Sequence, residues 1–266
     1  MNERLFEEAS PPEPEDRVVH ADLYLGSAGW SYDDWEGPFY PPGISQLQRL
    51  THYATQFRTV EIDSTFYGIP TLSTVQGWYQ RTPDDFVFAA KFPATITHEA
   101  QLLDCADQTY RFVETMTELG EKLGPLLIQF APSFSADRMP DLEAFLEGLP
   151  DGLMYAVEIR HPSWLTDAFA DLLKRWNVAL CLPSGGRLQH FWRVTSRFVY
   201  IRWLGRQNVL HRFDEVQIDR TDDIEWWVPR IRHFLDYGGL VFGYVNNNYS
   251  GHSPVTVREI ARRVRE

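Results

Sequence analysis

Charged side chains stand at the ends of several short apolar segments, where they could form one chemical site. Glu61 and Asp63 close one such segment, Lys91 closes the next, and Glu158 and Arg160 close a later one. Paired carboxylates beside cations suit general acid/base chemistry, in which a carboxyl group transfers protons and a cation stabilises developing negative charge. The spacing leaves open which carboxylate is the acid and which is the base.

Alternation within these segments predicts that the charges face the same way. Successive side chains of a strand point to opposite faces, so residues two apart share a face. One face is therefore expected to carry the following residues: Thr59, Glu61, Asp63, Val87, Ala89, Lys91, Leu127, Gln129, Ala156, Glu158, Arg160, Tyr200 and Arg202. We interpret the polar members of this face as an active site, because several different strands contribute to it.

The alternative is a structural network of ion pairs that only neutralises buried charge. In such a network Lys91 would pair with Glu61. Arg202 would in the same way pair with Glu158. The two interpretations place the same side chains at one end of the molecule and differ only in what those side chains do.

Eight apolar segments alternate with segments of helical periodicity, which predicts an α/β fold. The expected strands span 23–28, 58–63, 86–91, 125–130, 155–160, 178–182, 198–203 and 240–245, and the expected helices 45–57, 72–80, 100–123, 137–149, 163–176, 222–237 and 254–264. Eight such units predict a TIM-type (β/α)8 barrel of parallel strands, with its site at the C-terminal strand ends. A doubly wound open sheet is the alternative, but GSAGWS at 26–31 does not match its phosphate-binding glycine pattern.

Three loops add candidate ligand contacts. Trp30 and Tyr32 could stack on a base or sugar, or could belong to a packed cap over the barrel. Asn246 opens a run of three asparagines that suits ligand contact as well as a plain turn. The segment 186–213 contains no Asp or Glu, so Arg206 in it could bind phosphate or belong to a solvated basic face.

A divalent metal ion is an alternative that the histidines leave open. His98 follows the third expected strand and His161 follows the fifth, so both could stand near the carboxylates as ligands for Zn²⁺ or Mn²⁺. No HExxH motif and no Cys/His cluster occurs, and a histidine at a helix start commonly caps the helix. We therefore assign no metal ligand and no cofactor.

Composition limits the classes of partner and the compartment. The 266 residues carry a net charge of −12, which argues against coating nucleic acid or anionic membrane by bulk electrostatics. No apolar run has the length of a membrane span, and the acidic, Pro-rich start does not resemble a secretory signal, so we expect a cytoplasmic protein. Residues 1–21 are expected to form a disordered tail and 22–266 a single domain.

Several stretches together resemble the YecE-like family, also called domain of unknown function 72. They are GSAGWSYDDWEGPFYP, VEIDSTFYGIP, FAAKFPATITHE, LGPLLIQFAPSF, YAVEIRHPSW, FVYIRWLG and NNNYSGHSP. The resemblance runs from about Tyr24 to Arg262 and implies a YecE-like TIM-barrel domain. It implies no established reaction, although the barrel is similar in outline to those of endonuclease IV and xylose isomerase.

Motif positions carried over from this family imply a shared site. Its residues are Trp30, Tyr32, Glu61, Lys91, His98, Gln129, Glu158, Arg160, His161, Arg202 and Asn246. Two positions depart from the family pattern: CLPSGG after the sixth strand lacks the usual Asp, and Arg202-Trp203-Leu204-Gly205 lacks the usual His. These losses weaken the case for a metal centre with several protein ligands.

We accordingly expect an enzyme that acts on a phosphorylated substrate, such as a nucleotide, a sugar phosphate or a nucleic-acid end. General acid/base chemistry without a redox cofactor would make it a hydrolase, a lyase or an isomerase. Two alternatives stay open: a non-catalytic module that binds a ligand or a nucleic-acid strand, and a metal-dependent phosphodiesterase similar to endonuclease IV. The sequence leaves the oligomeric state and the substrate unknown.

Overall fold

A computed structural model describes residues 21–185 and 191–266 of the chain. The tail expected over 1–21 lies outside the described residues except for Ala21, and so does the start of the acid-free segment, 186–190. Within the described ranges, eight strands alternate with helices as the periodicity predicts.

The strands are β1 (Leu23–Ser27), β2 (Thr59–Ile62), β3 (Val87–Lys91), β4 (Leu123–Gln129), β5 (Tyr155–Glu158), β6 (Ala179–Ser184), β7 (Phe198–Trp203) and β8 (Leu240–Val245). The helices are α1 (Gln46–Gln56), α2 (Leu72–Gln80), α3 (Ala106–Thr117), α4 (Met139–Glu147), α5 (Asp167–Arg175), α6 (Thr221–Asp236), α7 (Asn247–Ser250) and α8 (Ser253–Arg265). The longest of these, α6, has 16 residues and carries several charges. In the described part of the chain no helix has the length and apolarity to cross a bilayer.

The strands form one parallel sheet in the order β1-β8-β7-β6-β5-β4-β3-β2, which curls into a nearly closed TIM-type (β/α)8 barrel. A single bridge between Ala28 and Glu61 joins β1 to β2, reinforced by the Gly29 amide, which donates to the Glu61 carbonyl at 2.8 Å. Gly26 allows this approach, because a Cβ atom there would lie 2.1 Å from the carbonyl oxygen of Thr59. The predicted fold class is confirmed.

Alternate residues of the strands divide between the lumen and the helical layer. On β2, Val60 and Ile62 pack outward in the main apolar core, whereas Thr59 and Glu61 are buried on the other face. A separate inner cluster fills the lumen: Ala89, Leu127, Ala156, Ala179, Cys181, Phe198, Tyr200, Phe242 and Tyr244. The polar residues predicted to face inward therefore lie above an apolar plug, at the C-terminal ends of the strands.

The segment after β3 differs from its prediction, since no helix covers the whole of 100–123. A π-helical turn spans Thr95–Glu99, and α3 begins only at Ala106. Between them Gln101, Leu102 and Asp104 have positive φ angles of 49°, 66° and 47°. Such angles interrupt an α-helix, and periodicity in side-chain character does not report them.

Candidate functional site

The guanidinium of Arg202 holds two carboxylates at the C-terminal end of the lumen. Its Nη1 donates to Glu158 Oε2 and its Nη2 to Glu61 Oε1, both at 2.6 Å. Arg202 is 3% exposed, Glu61 0% and Glu158 1%. Charges this deeply buried persist only when they are paired and hydrogen-bonded, so the three side chains form one tightly held unit.

Three further side chains complete the hydrogen bonding of the two carboxylates. The Tyr200 hydroxyl donates to Glu61 Oε2 at 2.6 Å. Glu158 accepts from Gln129 Nε2 at 3.0 Å and from Arg160 Nε at 2.6 Å. Burial raises the pKa of the Tyr200 phenol well above its usual value, and the Glu61 charge acts in the same direction, so this tyrosine keeps its proton as a donor.

The pKa values of the two carboxyl groups are shifted in opposite directions. Burial raises the pKa of Glu61, and the Asp63 charge adds to this effect while Arg202 opposes it. Burial alone would raise the pKa of Glu158 as well, but the charges of Arg202 and Arg160 outweigh it and lower that pKa to about 2. Glu61 is therefore the carboxyl group suited to carry a proton, and Glu158 stays ionised.

Lys91 and Asp63 stand beside this unit with much looser contacts. Lys91 Nζ lies 3.5 Å from Asp63 Oδ1 and 4.3 Å from the centre of the Phe66 ring. Asp63 Oδ1 lies at the same distance, 3.5 Å, from Arg202 Nη2. Among the residues that the structure describes, the ammonium group of Lys91 makes no hydrogen bond, although its side chain is only 10% exposed.

His98 lies next to these cations on the π-helical turn. Its ring meets Phe66 edge to face at 5.0 Å, and its Nδ1 is 2.9 Å from Thr97 Oγ1. The Thr97 hydroxyl also lies 3.2 Å from the Pro93 carbonyl, so it holds the imidazole ring against its own turn. Burial lowers the pKa of His98, and the charges of Arg160 and Lys91 lower it further, which keeps the ring neutral at pH 7.

Two further predicted residues make contacts of their own outside the network, and a third is exposed. Trp30 is half-buried against Trp78, at 5.9 Å between ring centres. Tyr32 donates to the Ala28 carbonyl at 2.6 Å, and after burial the Asp63 charge is the next cause of its raised pKa. Arg206 is exposed on the loop after β7.

Two predicted contacts are used locally instead. The side chain of Asn246 accepts from the Asn248 amide at 2.9 Å and so caps α7. His161 Nδ1 lies 2.7 Å from Ser163 Oγ and accepts from the Ser163 amide, which caps the turn after β5. Both residues follow a strand end as expected, and each also makes a short-range hydrogen bond within its own loop.

One expected pairing is wrong and one important residue was left out of the expected site. Lys91 pairs with Asp63 rather than with Glu61, because Arg202 and Tyr200 already occupy both Glu61 oxygens. Tyr200 was expected to face inward but not to act on a carboxylate. The sequence signal for this contact is the spacing of two residues between Tyr200 and Arg202, which places both side chains on the same face of β7.

Within the described ranges, no three His, Cys, Asp or Glu side chains are grouped so that they could hold a metal ion. The chemistry of the donors agrees with this finding, since Arg202 uses one oxygen of each buried carboxylate. The second oxygens of both groups also accept hydrogen bonds, from Tyr200 and Arg160. The site is built around a fixed guanidinium cation.

Comparison with known proteins finds curated relatives over about half of the chain. The chain is 37% identical over 142 residues to the UPF0759 protein YecE of Escherichia coli (strain K12), a match that covers 53% of this chain and 50% of that protein. It is 28% identical over 156 residues to the UPF0759 protein YunF of Bacillus subtilis (strain 168), covering 55% of this chain and 54% of that protein. The chain thus spans about half the length of the curated relatives it matches.

Solved structures and a family model extend the comparison to the full fold. A DUF72 family protein from Thermotoga maritima MSB8 has a crystal structure that matches with a TM-score of 0.77 and 24% identity, over 92% of this chain and 99% of that one. Identity at this level shows the fold alone. The model of the family described as Protein of unknown function DUF72 matches residues 24–266, and the chain therefore belongs to the DUF72 family.

Proposed function

We propose that this protein is an enzyme that performs general acid/base chemistry on a small phosphorylated molecule at the C-terminal mouth of the barrel. The observation that carries the proposal is that the Arg202 guanidinium donates hydrogen bonds to both Glu61 and Glu158. Their pKa values are displaced in opposite directions, and such pairs divide the acid and base roles of a reaction between two carboxyl groups. A network that only neutralised charge would not require this difference.

The proposed roles follow from burial and contacts. Glu61 exchanges a proton with the substrate, because burial raises its pKa whereas Glu158 stays ionised. Glu158 remains ionised and fixes Arg202 and Arg160 in place. Lys91 faces the same space and stabilises negative charge that develops on the substrate.

Arg160 is the residue proposed to hold the phosphate group. Its side chain is 39% exposed, and only its Nε is bound, to Glu158 at 2.6 Å. The terminal nitrogens make no hydrogen bond to the part of the chain that the structure describes, and a guanidinium edge suits bidentate contact with phosphate. A net charge of −12 favours a small anion over duplex nucleic acid as the ligand.

A binding and turnover experiment tests this proposal. Inorganic phosphate is titrated by calorimetry into the wild type and into Arg160→Gln, and a panel of sugar phosphates and nucleotides is screened for turnover by NMR. We expect Arg160→Gln to weaken phosphate binding at least about tenfold. We expect Glu61→Gln to lower turnover by about 10²–10⁴-fold while phosphate still binds.

The matched control is Glu143→Gln, which removes one carboxylate from a half-exposed surface ion pair. It should alter neither binding nor turnover. Normal turnover by Glu61→Gln would overturn the acid/base assignment. Tight phosphate binding with no turnover of any panel member would instead indicate the non-catalytic binding module.

A further inference from the structure

Lysine is rare in this chain, and one of its few lysines lies inside the barrel. Of the 25 basic residues only three are lysines, at positions 91, 122 and 174, and all others are arginines. Arginine is the stronger anion-binding group, and the chain uses it at nearly every other cationic position, Arg160 and Arg202 of the site included. Lys91 is therefore the exception among the cations of the site, and it differs from an arginine in carrying an amine.

The three lysines have three different environments. Lys122 is 2% exposed, and its Nζ donates to the Tyr79 and Thr82 carbonyls, each at 2.8 Å, so it serves as a structural cation. Lys174 is 52% exposed in its side chain and pairs with Asp171 at 3.0 Å. Lys91 is as buried as a structural lysine but has none of the hydrogen bonds of one in the described residues.

The surroundings of Lys91 are those of a nucleophile rather than of a fixed charge. Within the described residues no hydrogen bond fixes its Nζ, because Asp63 Oδ1 at 3.5 Å is beyond ordinary hydrogen-bond length and the Phe66 ring supplies only a diffuse contact. A carboxylate for proton exchange is thus adjacent, and Glu61 lies near enough for the Lys91 charge to act on it. Amines held in this manner attack carbonyl carbons, which a guanidinium cannot do at neutral pH.

We infer that Lys91 forms an imine with the carbonyl carbon of the substrate, which makes the substrate a phosphorylated aldehyde or ketone. The inference rests on the proposed function and deepens it: Arg160 holds the phosphate at the rim, and Lys91 bonds to the reacting carbon deeper in the lumen. Glu61 then transfers the protons of the attached intermediate.

The step balances without any further reactant. Lys91 passes one ammonium proton to Asp63, and the lone pair of Nζ adds to the carbonyl carbon, whose oxygen becomes a hydroxyl group by taking a second proton from nitrogen. Asp63 returns its proton to that hydroxyl, which leaves as water while a carbon–nitrogen double bond forms. Two ammonium protons leave in the water, the third stays on the iminium nitrogen, and the positive charge is conserved opposite Asp63.

Reductive trapping on the intact protein tests the inference. The full chain is incubated at pH 7 with glycolaldehyde or with glycolaldehyde phosphate and sodium cyanoborohydride, and the adduct on each lysine is counted over time by mass spectrometry. The other two lysines are internal references, Lys174 for an exposed amine and Lys122 for a buried, hydrogen-bonded one. We expect Lys91 to be modified at least tenfold faster than Lys174, and faster again with the phosphorylated probe.

The outcomes separate this inference from the proposed function. Modification of Lys91 no faster than that of Lys122, in protein that still binds inorganic phosphate, would overturn imine formation and leave the proposed function standing. Fast modification of Lys91 with no preference for the phosphorylated probe would support the imine and count against the phosphate site. Lys91→Arg keeps the positive charge and should abolish the adduct at this position, while the comparison among the three wild-type lysines needs no variant to fold.

Discussion

Arg202 on β7 and Glu61 on β2 are joined across the lumen at 2.6 Å, between strands that are not neighbours in the sheet. The same guanidinium reaches Glu158 on β5, which neighbours neither β2 nor β7. One side chain therefore links three separate sectors of the barrel wall. Its removal affects both the chemistry of the mouth and the stability of the fold.

Replacement of Arg202 by methionine should destabilise the protein strongly at pH 7. Two buried carboxylates would lose their common cation, and breaking a buried pair in this way costs about 3–5 kcal/mol. The loss in free energy of unfolding should be smaller at pH 5, where the unpaired carboxylates take up protons more readily. Urea unfolding at both pH values measures it, with Arg212→Met as the control, because Arg212 is 74% exposed and its pair with Asp214 is worth at most about 1 kcal/mol.

Glu158 should make stability fall in acid. Its pKa is about 2 in the folded protein against an ordinary value of 4.5, so the unfolded chain binds the proton more readily. The stabilisation is fully present above pH 4.5 and is lost as the pH falls towards 2, by up to about 3 kcal/mol. Unfolding followed between pH 5 and 2 should show this slope in the wild type and a flatter curve in Glu158→Gln; equal slopes would show that the carboxylate is not held as described.

Tyr200→Phe should raise the pKa of Glu61 further. The phenol donates to the ionised carboxylate, and this bond lowers the pKa of Glu61 against the effect of burial. The change can be followed as the ¹³C chemical shift of the Glu61 carboxyl carbon during a pH titration. Tyr244→Phe is the control, because the Tyr244 hydroxyl bonds to Thr59 and leaves the Glu61 oxygens untouched; an unaltered Glu61 titration in both variants would contradict the assignment.

Gly205→Ala should destabilise the C-terminal end of the barrel, because the added Cβ atom would collide with the backbone of α7. Gly205 has φ of 69°, and a Cβ atom there would lie 1.9 Å from the carbonyl oxygen of Asn248 in α7. Gly43 has a similar φ of 77° but open space around the same position, so Gly43→Ala should cost only the strain of about 1 kcal/mol. The cost at Gly205 should reach about 3 kcal/mol or more. The difference in thermal stability between the two variants gives the steric contribution at Gly205. Equal losses of stability would mean that α7 moves away freely.

The barrel and the inward face could be predicted because both depend on short periodicities. Strand alternation placed Glu61, Glu158 and Arg202 on one face, and the structure brings all three together. The pairing of individual charges could not be predicted, because it depends on distances across the lumen between strands far apart in the chain. Lys91 consequently pairs with Asp63 and not with Glu61.

Local hydrogen bonds engage two residues of the expected site, Asn246 and His161. Asn246 and His161 follow their strands as predicted, but each lies within two residues of a backbone amide that needs an acceptor. Residue type and spacing do not reveal whether a side chain will turn back to its own loop or point into the mouth. The break between the turn that carries His98 and α3 could not be predicted either, because the side-chain pattern expected for a helix begins at residue 100 and continues through the residues with positive φ.

The contact between β1 and β2 offers a backbone amide whose hydrogen exchange can report on the site. In the part of the chain that the structure describes, one bridge joins these two strands, between Ala28 and Glu61, and Arg202 holds the side chain of the same Glu61. A transient separation of the two strands therefore releases the Gly29 amide hydrogen to deuterated solvent and loosens the carboxylate at the same moment. Any ligand that fixes Glu61 should slow isotope exchange at Gly29, so this one amide can report occupancy of the mouth before the ligand is known.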